Sequence, residues 1–177
     1  MNYFGQCAWR RRSLTTLACI CCACALTSCG LAGCDGSPIE GPPQLRLGRD
    51  ICAECGMSVL EDRCSAAMLV ERPDGRTHLL FDDIGCLLDY ERQHREERIV
   101  GRFVHDHGDG TWISAPAASY LMAESIRTPM DSWLIAFTTA ELARSKQERE
   151  GGSLLTWREL DTVRRQWLRD RRLPSNE

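Results

Sequence analysis

One short pattern, two strands followed by a helix and a third strand, occurs twice in this sequence and limits the fold more than any other feature. In each copy a phenylalanine ends the second predicted strand, and two residues that can cap a helix follow it. The two junctions are Phe81-Asp82-Asp83 and Phe137-Thr138-Thr139. Asp and Thr side chains accept hydrogen bonds from the first backbone amides of a helix, so each junction predicts a helix start. The chain is therefore predicted to be an α+β fold made of two small similar units.

Apolar periodicity and turn residues give approximate limits for these elements. The first unit, about 50–106, has predicted strands at 64–71, 77–81 and 99–104 and a helix from 82 to about 95. The second unit, about 111–157, has predicted strands at 120–126, 133–137 and 153–156 and a helix from 138 to about 150. The folded domain is expected to span 50–160, and an amphipathic C-terminal helix with its tail takes up 157–177.

The eleven cysteines are distributed in a way that argues against a disulfide-rich scaffold. Seven of them lie at or before Cys34, and only Cys52, Cys55, Cys64 and Cys86 lie in the body of the protein. The N-terminal group surrounds an apolar segment at 13–26 that follows three arginines. A basic start, an apolar run and small residues after it are typical of an export signal.

Two tetrads at the end of this region resemble the lipid-attachment motif of bacterial lipoproteins: Leu26-Thr27-Ser28-Cys29 and Leu31-Ala32-Gly33-Cys34. Cys29 is preferred because it ends an apolar region of the usual length, and Cys34 is the alternative. The sequence thus predicts a signal peptide at 1–28 and a tether rich in Gly and Pro at 29–49. An acyl chain is expected to anchor the mature protein to a bacterial membrane, facing the periplasm or another extracytoplasmic side.

The charge balance argues against nucleic acid as a partner. The chain has 22 basic and 25 acidic residues, a formal net charge of −3 at pH 7. Loss of the signal removes three arginines and no acidic residue, so the mature protein is more acidic still. Proteins that bind nucleic-acid phosphates carry the opposite charge.

The segment Cys52-Ala53-Glu54-Cys55-Gly56-Met57 carries two thiols and one thioether. These soft donors suit a soft ion such as Cu(I), whereas Ca²⁺ and Mg²⁺ prefer oxygen. In an extended segment Cys55 and Met57 point to the same side and can share an ion. Met130 is the candidate third donor, because Pro129 and the surrounding loop hold it away from the packed strands. The alternative is that Met57 and Met130 are core methionines.

The other metal-binding side chains leave alternatives open. Cys52 is a second thiolate ligand, a disulfide partner of Cys55, or a small buried residue. Cys64 and Cys86 are buried thiols, or they join Cys52 and Cys55 in a four-thiolate zinc site. His105 adds an imidazole to a copper site, or it belongs to a polar turn.

Catalysis has little support in the sequence. Asp82 and Asp83 are explained as helix caps that also favour the helix dipole. No nucleophile–base set, phosphate loop or dinucleotide motif is recognisable. A thiol–disulfide oxidoreductase places its two cysteines between a strand and a helix, but the next predicted element after Cys55 is a strand. The chain is therefore predicted not to be an enzyme.

Taken in order, these motifs resemble the NosL family of nitrous oxide reductase accessory proteins. The resemblance covers most of 50–160 and begins with the segment from Cys52 to Met57. The further matching motifs are Asp74-Gly75, Phe81-Asp82-Asp83-Ile84-Gly85-Cys86, Val104-His105-Asp106, Trp112, 115–120, Thr128-Pro129-Met130, Ile135-Ala136-Phe137 and the Gly151-Gly152 turn. The family often has glycines after Thr-Pro-Met, whereas this chain has Asp131-Ser132-Trp133.

The resemblance implies a lipid-anchored copper chaperone with a split α+β fold of two similar units. It implies that the protein binds Cu(I) and hands it to the maturation machinery of nitrous oxide reductase, which includes an ABC-type transporter complex. The ligands implied by the family lie at Cys55, Met57 and Met130. Two other classes of function stay open: a structural zinc module that mediates protein contacts, and a thiol–disulfide oxidoreductase that uses Cys52 and Cys55.

Overall fold

The structure, a computed structural model, describes residues 38–172 of the chain. The predicted signal peptide and both lipidation candidates, Cys29 and Cys34, lie outside the described residues. Within the described part, no helix has the length and apolar character needed to cross a lipid bilayer.

The first unit is a four-stranded antiparallel sheet with one helix. Its elements are β1 (Ala66–Arg72), β2 (Gly75–Phe81), α1 (Ile84–Gln93), β3 (Arg98–His105) and β4 (Trp112–Ser114). The strand order is β2-β1-β3-β4, so the first strand lies inside the sheet. A tight turn at Pro73-Asp74 sets the register of β1 and β2, in which Ala66 pairs with Phe81.

The second unit repeats this topology on a smaller scale. Its elements are β5 (Ser119–Met122), β6 (Leu134–Phe137), α2 (Ala140–Glu150) and β7 (Ser153–Thr156). The order β6-β5-β7 again places the first strand at the centre. Both predicted junctions cap a helix: Asp83 accepts the amide of Gly85 at 2.6 Å, and Thr139 accepts that of Leu142 at 3.3 Å. The prediction of an α+β fold with two similar units is confirmed.

Some predicted element limits are wrong. Cys64 was predicted to open the first strand, but it precedes β1. The strand predicted to extend to 126 ends at Met122 as β5, and a loop follows it. The sequence did not predict β4, since three residues are too few to show an alternating pattern. The final helix α3 (Trp157–Arg172) forms as predicted, with Leu160 fully buried.

The two units differ most in the connection between their first two strands. In the first unit the turn between β1 and β2 is as short as a hairpin allows, whereas residues 123–133 separate β5 from β6. This longer loop contains Thr128-Pro129-Met130. An extended hairpin connection in the second unit therefore supplies the methionine that the sequence singled out.

The larger of two apolar clusters joins the units. Met68 and Phe81 of the first unit, Tyr120 and Leu134 of the second, and Leu160 of α3 belong to one buried cluster. Burial of a side chain of this size contributes roughly 1.5–3 kcal/mol relative to leaving it exposed. Because the cluster includes residues from both units and from α3, each part stabilises the others.

Asp106 connects the two units through polar contacts. Its side chain is buried and accepts the amide of Gly108 at 2.7 Å in its own turn. It also accepts the amide and the hydroxyl of Thr138 in the second unit, both at 2.6 Å. Burial alone would raise the pKa of Asp106, but the hydrogen bonds from Thr138 and its own turn outweigh this effect and lower the pKa.

Residues 38–49, predicted as the end of the tether, contact the first unit. His78 donates from Nε2 to the carbonyl of Gly41 at 2.8 Å. Arg46 pairs with Asp50 at 2.6 Å. The chain therefore already lies against the sheet before the cysteine segment begins.

Candidate metal centre

The segment from Cys52 to Met57 folds into a closed turn. The amide of Cys52 donates to the carbonyl of Met57 at 2.8 Å. Gly56 has a φ of +76°, a left-handed conformation that glycine adopts without a clash from Cβ. The chain therefore reverses at Gly56, so Cys55 and Met57 do not lie in an extended segment.

A hydrogen bond to β2 fixes this turn beside the start of α1. The amide of Ala53 donates to the carbonyl of Leu80 at 2.8 Å. Leu80 stands immediately before Phe81, where β2 ends and the junction to α1 follows. The turn is thus held next to the residues that begin the helix.

Four potential ligand atoms converge at this place. The Sγ atoms of Cys52, Cys55 and Cys86 and a carboxylate oxygen of Asp82 all lie within 4.8 Å of one another. Cys55 Sγ is 3.6 Å from Asp82 Oδ2. Cys52, Asp82 and Cys86 are buried, whereas Cys55 is partly exposed, so the group reaches the surface through Cys55. Proteins use thiolates to bind both Cu(I) and Zn²⁺, and a carboxylate is a further ligand type for Zn²⁺.

The three cysteines are free thiols with unequal acidity. The Cys86 thiol donates to Cys52, and this contact lowers the pKa of Cys52 to about 7. The same contact raises the pKa of Cys86. Burial, aided by the negative charge expected at Cys52 and Asp82, raises the pKa of Cys55 to about 11. A thiolate therefore forms first at Cys52, and a bound cation is needed to displace the proton of Cys55 near neutral pH.

Comparison with known proteins identifies the family. Residues 46–163 match the NosL family. The chain belongs to the NosL family. Two chains of solved structures match, and one of them is the crystal structure of the copper chaperone NosL from Shewanella denitrificans. The similarity has a TM-score of 0.56 at 21% sequence identity and covers 67% of this chain and 96% of that chain. No curated protein matches.

Asp82 and Cys86 are the residues of this NosL-family site that sequence reasoning did not place together. The interpretation of Asp82 as a helix cap is wrong, because the capping contact belongs to Asp83, and Asp82 faces Cys55. Asp82 lies before the cap and outside the helix, so helical periodicity does not relate it to Cys86. Their approach to the cysteine turn depends on tertiary structure.

The four-thiolate set considered for zinc is not assembled. Cys64 packs in a second apolar cluster with Leu121 and Ile126 and is absent from the group around Cys55. Burial raises the pKa of Cys64 to about 12, as expected for an inert thiol in apolar surroundings. Asp82 takes the fourth position instead.

The two candidate methionines lie in different surroundings. Met57 is 47% exposed, so it is not a core residue. Met130 is half-buried and, like Cys55, packs against the main apolar core. The amide of Met130 donates to Asp83 Oδ2 at 3.0 Å. The Thr-Pro-Met loop is thereby joined to the helix start that carries Asp82 and Cys86.

His105 lies elsewhere. Its side chain is buried, its Nδ1 is 2.7 Å from the Ser65 hydroxyl, and its ring stacks on Trp112 at 3.6 Å. Burial lowers the pKa of His105. The structure therefore gives His105 a packing and hydrogen-bonding role outside the cluster of Cys52, Cys55, Asp82 and Cys86.

Proposed function

We propose that this NosL-family protein is a copper chaperone that carries Cu(I) outside the cytoplasm and delivers it for the maturation of nitrous oxide reductase. The convergence of three thiols on Asp82, with Cys55 at the surface, is the observation that carries this proposal. Soft sulfur donors favour Cu(I) over the hard cations that are more abundant in the periplasm. The fold similarity to a protein described as a copper chaperone supports it.

Cys55, Met57 and Met130 are the proposed Cu(I) ligands. Cys55 is the accessible one of the three clustered cysteines, and Met57 lies two residues after it in the same turn. The loop of Met130 is bonded to Asp83, next to Asp82. Thioethers bind more weakly than thiolates, so an ion held in part by methionines can pass to an acceptor by ligand exchange. Cys52 and Cys86 are more deeply buried than Cys55 and provide further sulfur donors.

Delivery is proposed to take place at the membrane. An acyl chain on Cys29, or on Cys34, would concentrate the carrier near the ABC-type maturation machinery. The acidic charge of the mature chain would favour docking on a basic face of the acceptor and make the encounter sensitive to salt. The protein acts in this scheme as a carrier and not as an enzyme.

The ligand assignment is tested by anaerobic titration of the reduced protein with Cu(I) against a competing chelator. Cys55→Ser and Met130→Leu are expected to weaken binding, and Cys64→Ser and Met122→Leu serve as matched controls outside the site. Unchanged affinity in both Cys55→Ser and Met130→Leu would exclude this ligand set. A loss that is equal in the controls would point to a general effect on folding.

A zinc site is the second candidate, because the buried carboxylate of Asp82 is an oxygen donor that suits Zn²⁺ better than Cu(I). Metal analysis of protein purified without added copper separates the two. One tightly held zinc that Cu(I) does not displace would favour a structural zinc module. An oxidoreductase is not favoured, since the next element after Cys55 is strand β1 and not a helix. The more acidic thiol, Cys52, is buried, and the pKa of the accessible thiol, Cys55, is raised.

A further inference from the structure

We propose that helix α3 clamps the loop that carries Met130, and that Trp133, Trp167 and Arg171 are positioning residues for the Met130 thioether. The proposal deepens the proposed function and rests on it, since it concerns a methionine taken there as a Cu(I) ligand. The clamp is defined as the contact of Trp133 with Trp167 and Arg171.

The loop itself is a compact turn around Met130. The hydroxyl of Thr128 accepts the amides of Ser132 at 3.0 Å and of Trp133 at 3.2 Å. The amide of Asp131 donates to the carbonyl of Thr128 at 3.0 Å. Met130 therefore lies inside a closed set of hydrogen bonds, and its position follows that of Thr128 and Trp133.

Two residues of this turn have an unfavourable backbone conformation. Asp131 has a φ of +51° and Trp133 a φ of +62°. Left-handed φ is natural for glycine, tolerable for aspartate and unfavourable for a bulky residue such as tryptophan. A tryptophan in this conformation persists only when contacts elsewhere hold it there.

Those contacts come from the C-terminal half of α3. The ring of Trp133 meets that of Trp167 edge-on, with centroids 5.7 Å apart and an interplanar angle of 85°. The Arg171 guanidinium lies 4.9 Å from the centroid of Trp133 and 4.2 Å from that of Trp167. Edge-to-face aromatic pairs and cation–π contacts of this geometry are attractive.

Helix α3 is itself firmly attached to α1 near the cluster of three cysteines and Asp82. Arg164 is 5% exposed and bonds Asp89 at 2.8 Å. At Gly85, next to Cys86, a Cβ atom would lie 2.6 Å from Ser132 Cβ and 3.1 Å from Arg164 Cζ. The Met130 loop, α1 and α3 therefore meet over Gly85, and a shift of α3 would move the loop relative to Cys55 and Cys86.

The first test observes Met130 directly in the metal-free protein. With ¹³C-methyl-labelled methionine, Arg171→Gln and Trp167→Leu are expected to shift the NMR resonance of Met130 and to leave that of Met57 in place. Arg169→Gln is the matched control, because Arg169 is on the same helix and carries the same charge but bonds Gln166 instead. An unmoved Met130 resonance in both variants would overturn the clamp.

The second test is a double-mutant cycle in Cu(I) affinity. Trp167→Leu is expected to weaken Cu(I) binding roughly three- to tenfold in the native background, and to have no further effect in Met130→Leu. If Trp167→Leu weakens Cu(I) binding as much in Met130→Leu as in the native background, Trp167 acts on the fold and not through Met130. This outcome would overturn the proposal. If Met130→Leu alone binds as the native protein does, the ligand assignment fails, and the methyl shifts still decide about the clamp.

Discussion

At the level of single residues, Cys55 differs from Cys52 and Cys86 in combining access to the surface with a proton that is hard to lose. Its raised pKa arises mainly from burial among apolar neighbours, whereas Cys52 is made more acidic by the thiol of Cys86. Cargo binding and proton release are therefore coupled at Cys55.

Cu(I) affinity is expected to rise with pH through the neutral range. If Cys55 alone exchanges its proton for the ion, affinity rises about tenfold per pH unit, because the pKa of about 11 lies far above this range. Titration with a chelator at several pH values measures the slope. A slope that changes from two protons to one near the Cys52 pKa of about 7 would show that Cys52 also binds. A flat profile would contradict the role of Cys55.

His105 is expected to make the protein less stable in mild acid. Its folded pKa is lowered from 6.5 by burial, so the unfolded state binds the proton more readily. The contribution of His105 to the free energy of unfolding is full above pH 6.5. It is lost as the pH falls from there toward the lower folded pKa.

Urea unfolding at about pH 7.5 and about pH 5.5 compares the native protein with His105→Gln. The variant is expected to lose less stability on acidification and to keep the Cu(I) affinity of the native protein. Weaker Cu(I) binding without loss of stability would restore His105 as a ligand.

At the level of elements, the start of α1 organises the site. Asp83 caps the helix and also accepts the amide of Met130, while Asp82 and Cys86 on either side of this cap face the cysteine turn. The cap, the strand end and the hairpins depend on residues close in sequence, which is why the sequence predicted them. The Met130 loop depends on α3, so its conformation was not predictable from Asp131-Ser132-Trp133.

Gly85→Ala is expected to destabilise the protein by about 1–3 kcal/mol through overpacking. The added Cβ would meet Ser132 Cβ at 2.6 Å, and neither partner is the far end of a flexible chain. Ser132→Gly removes the opposing atom, so the double variant should lose less than the sum of the single losses. Urea unfolding of the three variants measures the coupling; strictly additive losses would mean that the two residues do not meet.

At the level of the whole molecule, two similar units share one core and are joined by Asp106. The hydrogen bonds that Thr138 donates to Asp106 connect the end of β3 to the residues just before α2. Because α3 packs on the same core through Leu160, unfolding is expected to be a single cooperative transition.

Asp106→Ala is expected to lower the free energy of unfolding by about 2–3 kcal/mol, since it removes the hydrogen bonds that the buried carboxylate accepts from Thr138 and Gly108. Asp109→Ala, which removes an exposed contact to Thr111 in the same turn, is the matched control. The folded pKa of Asp106 is lowered from 3.8, so its contribution is present above that pH and is lost as pH falls through the lower value.

The same urea experiment at about pH 7 and about pH 3 should therefore show a smaller acid loss in Asp106→Ala than in the native protein. Two separate unfolding transitions in the native protein would contradict the shared core. An Asp106→Ala variant as stable as Asp109→Ala would contradict the connecting role of Asp106.

The sequence by itself determined the repeated α+β topology, the helix caps, the soft donors of the cysteine turn and the resemblance to the NosL family. These features depend on residue chemistry and on neighbours a few positions away. Only the tertiary structure decided that Asp82 and Cys86, and not Cys64, join Cys52 and Cys55, and that Trp167 of α3 packs against Trp133 at the end of the Met130 loop. Such contacts join segments far apart in the chain, and their geometry is set by how the sheets and helices of residues 38–172 pack against one another.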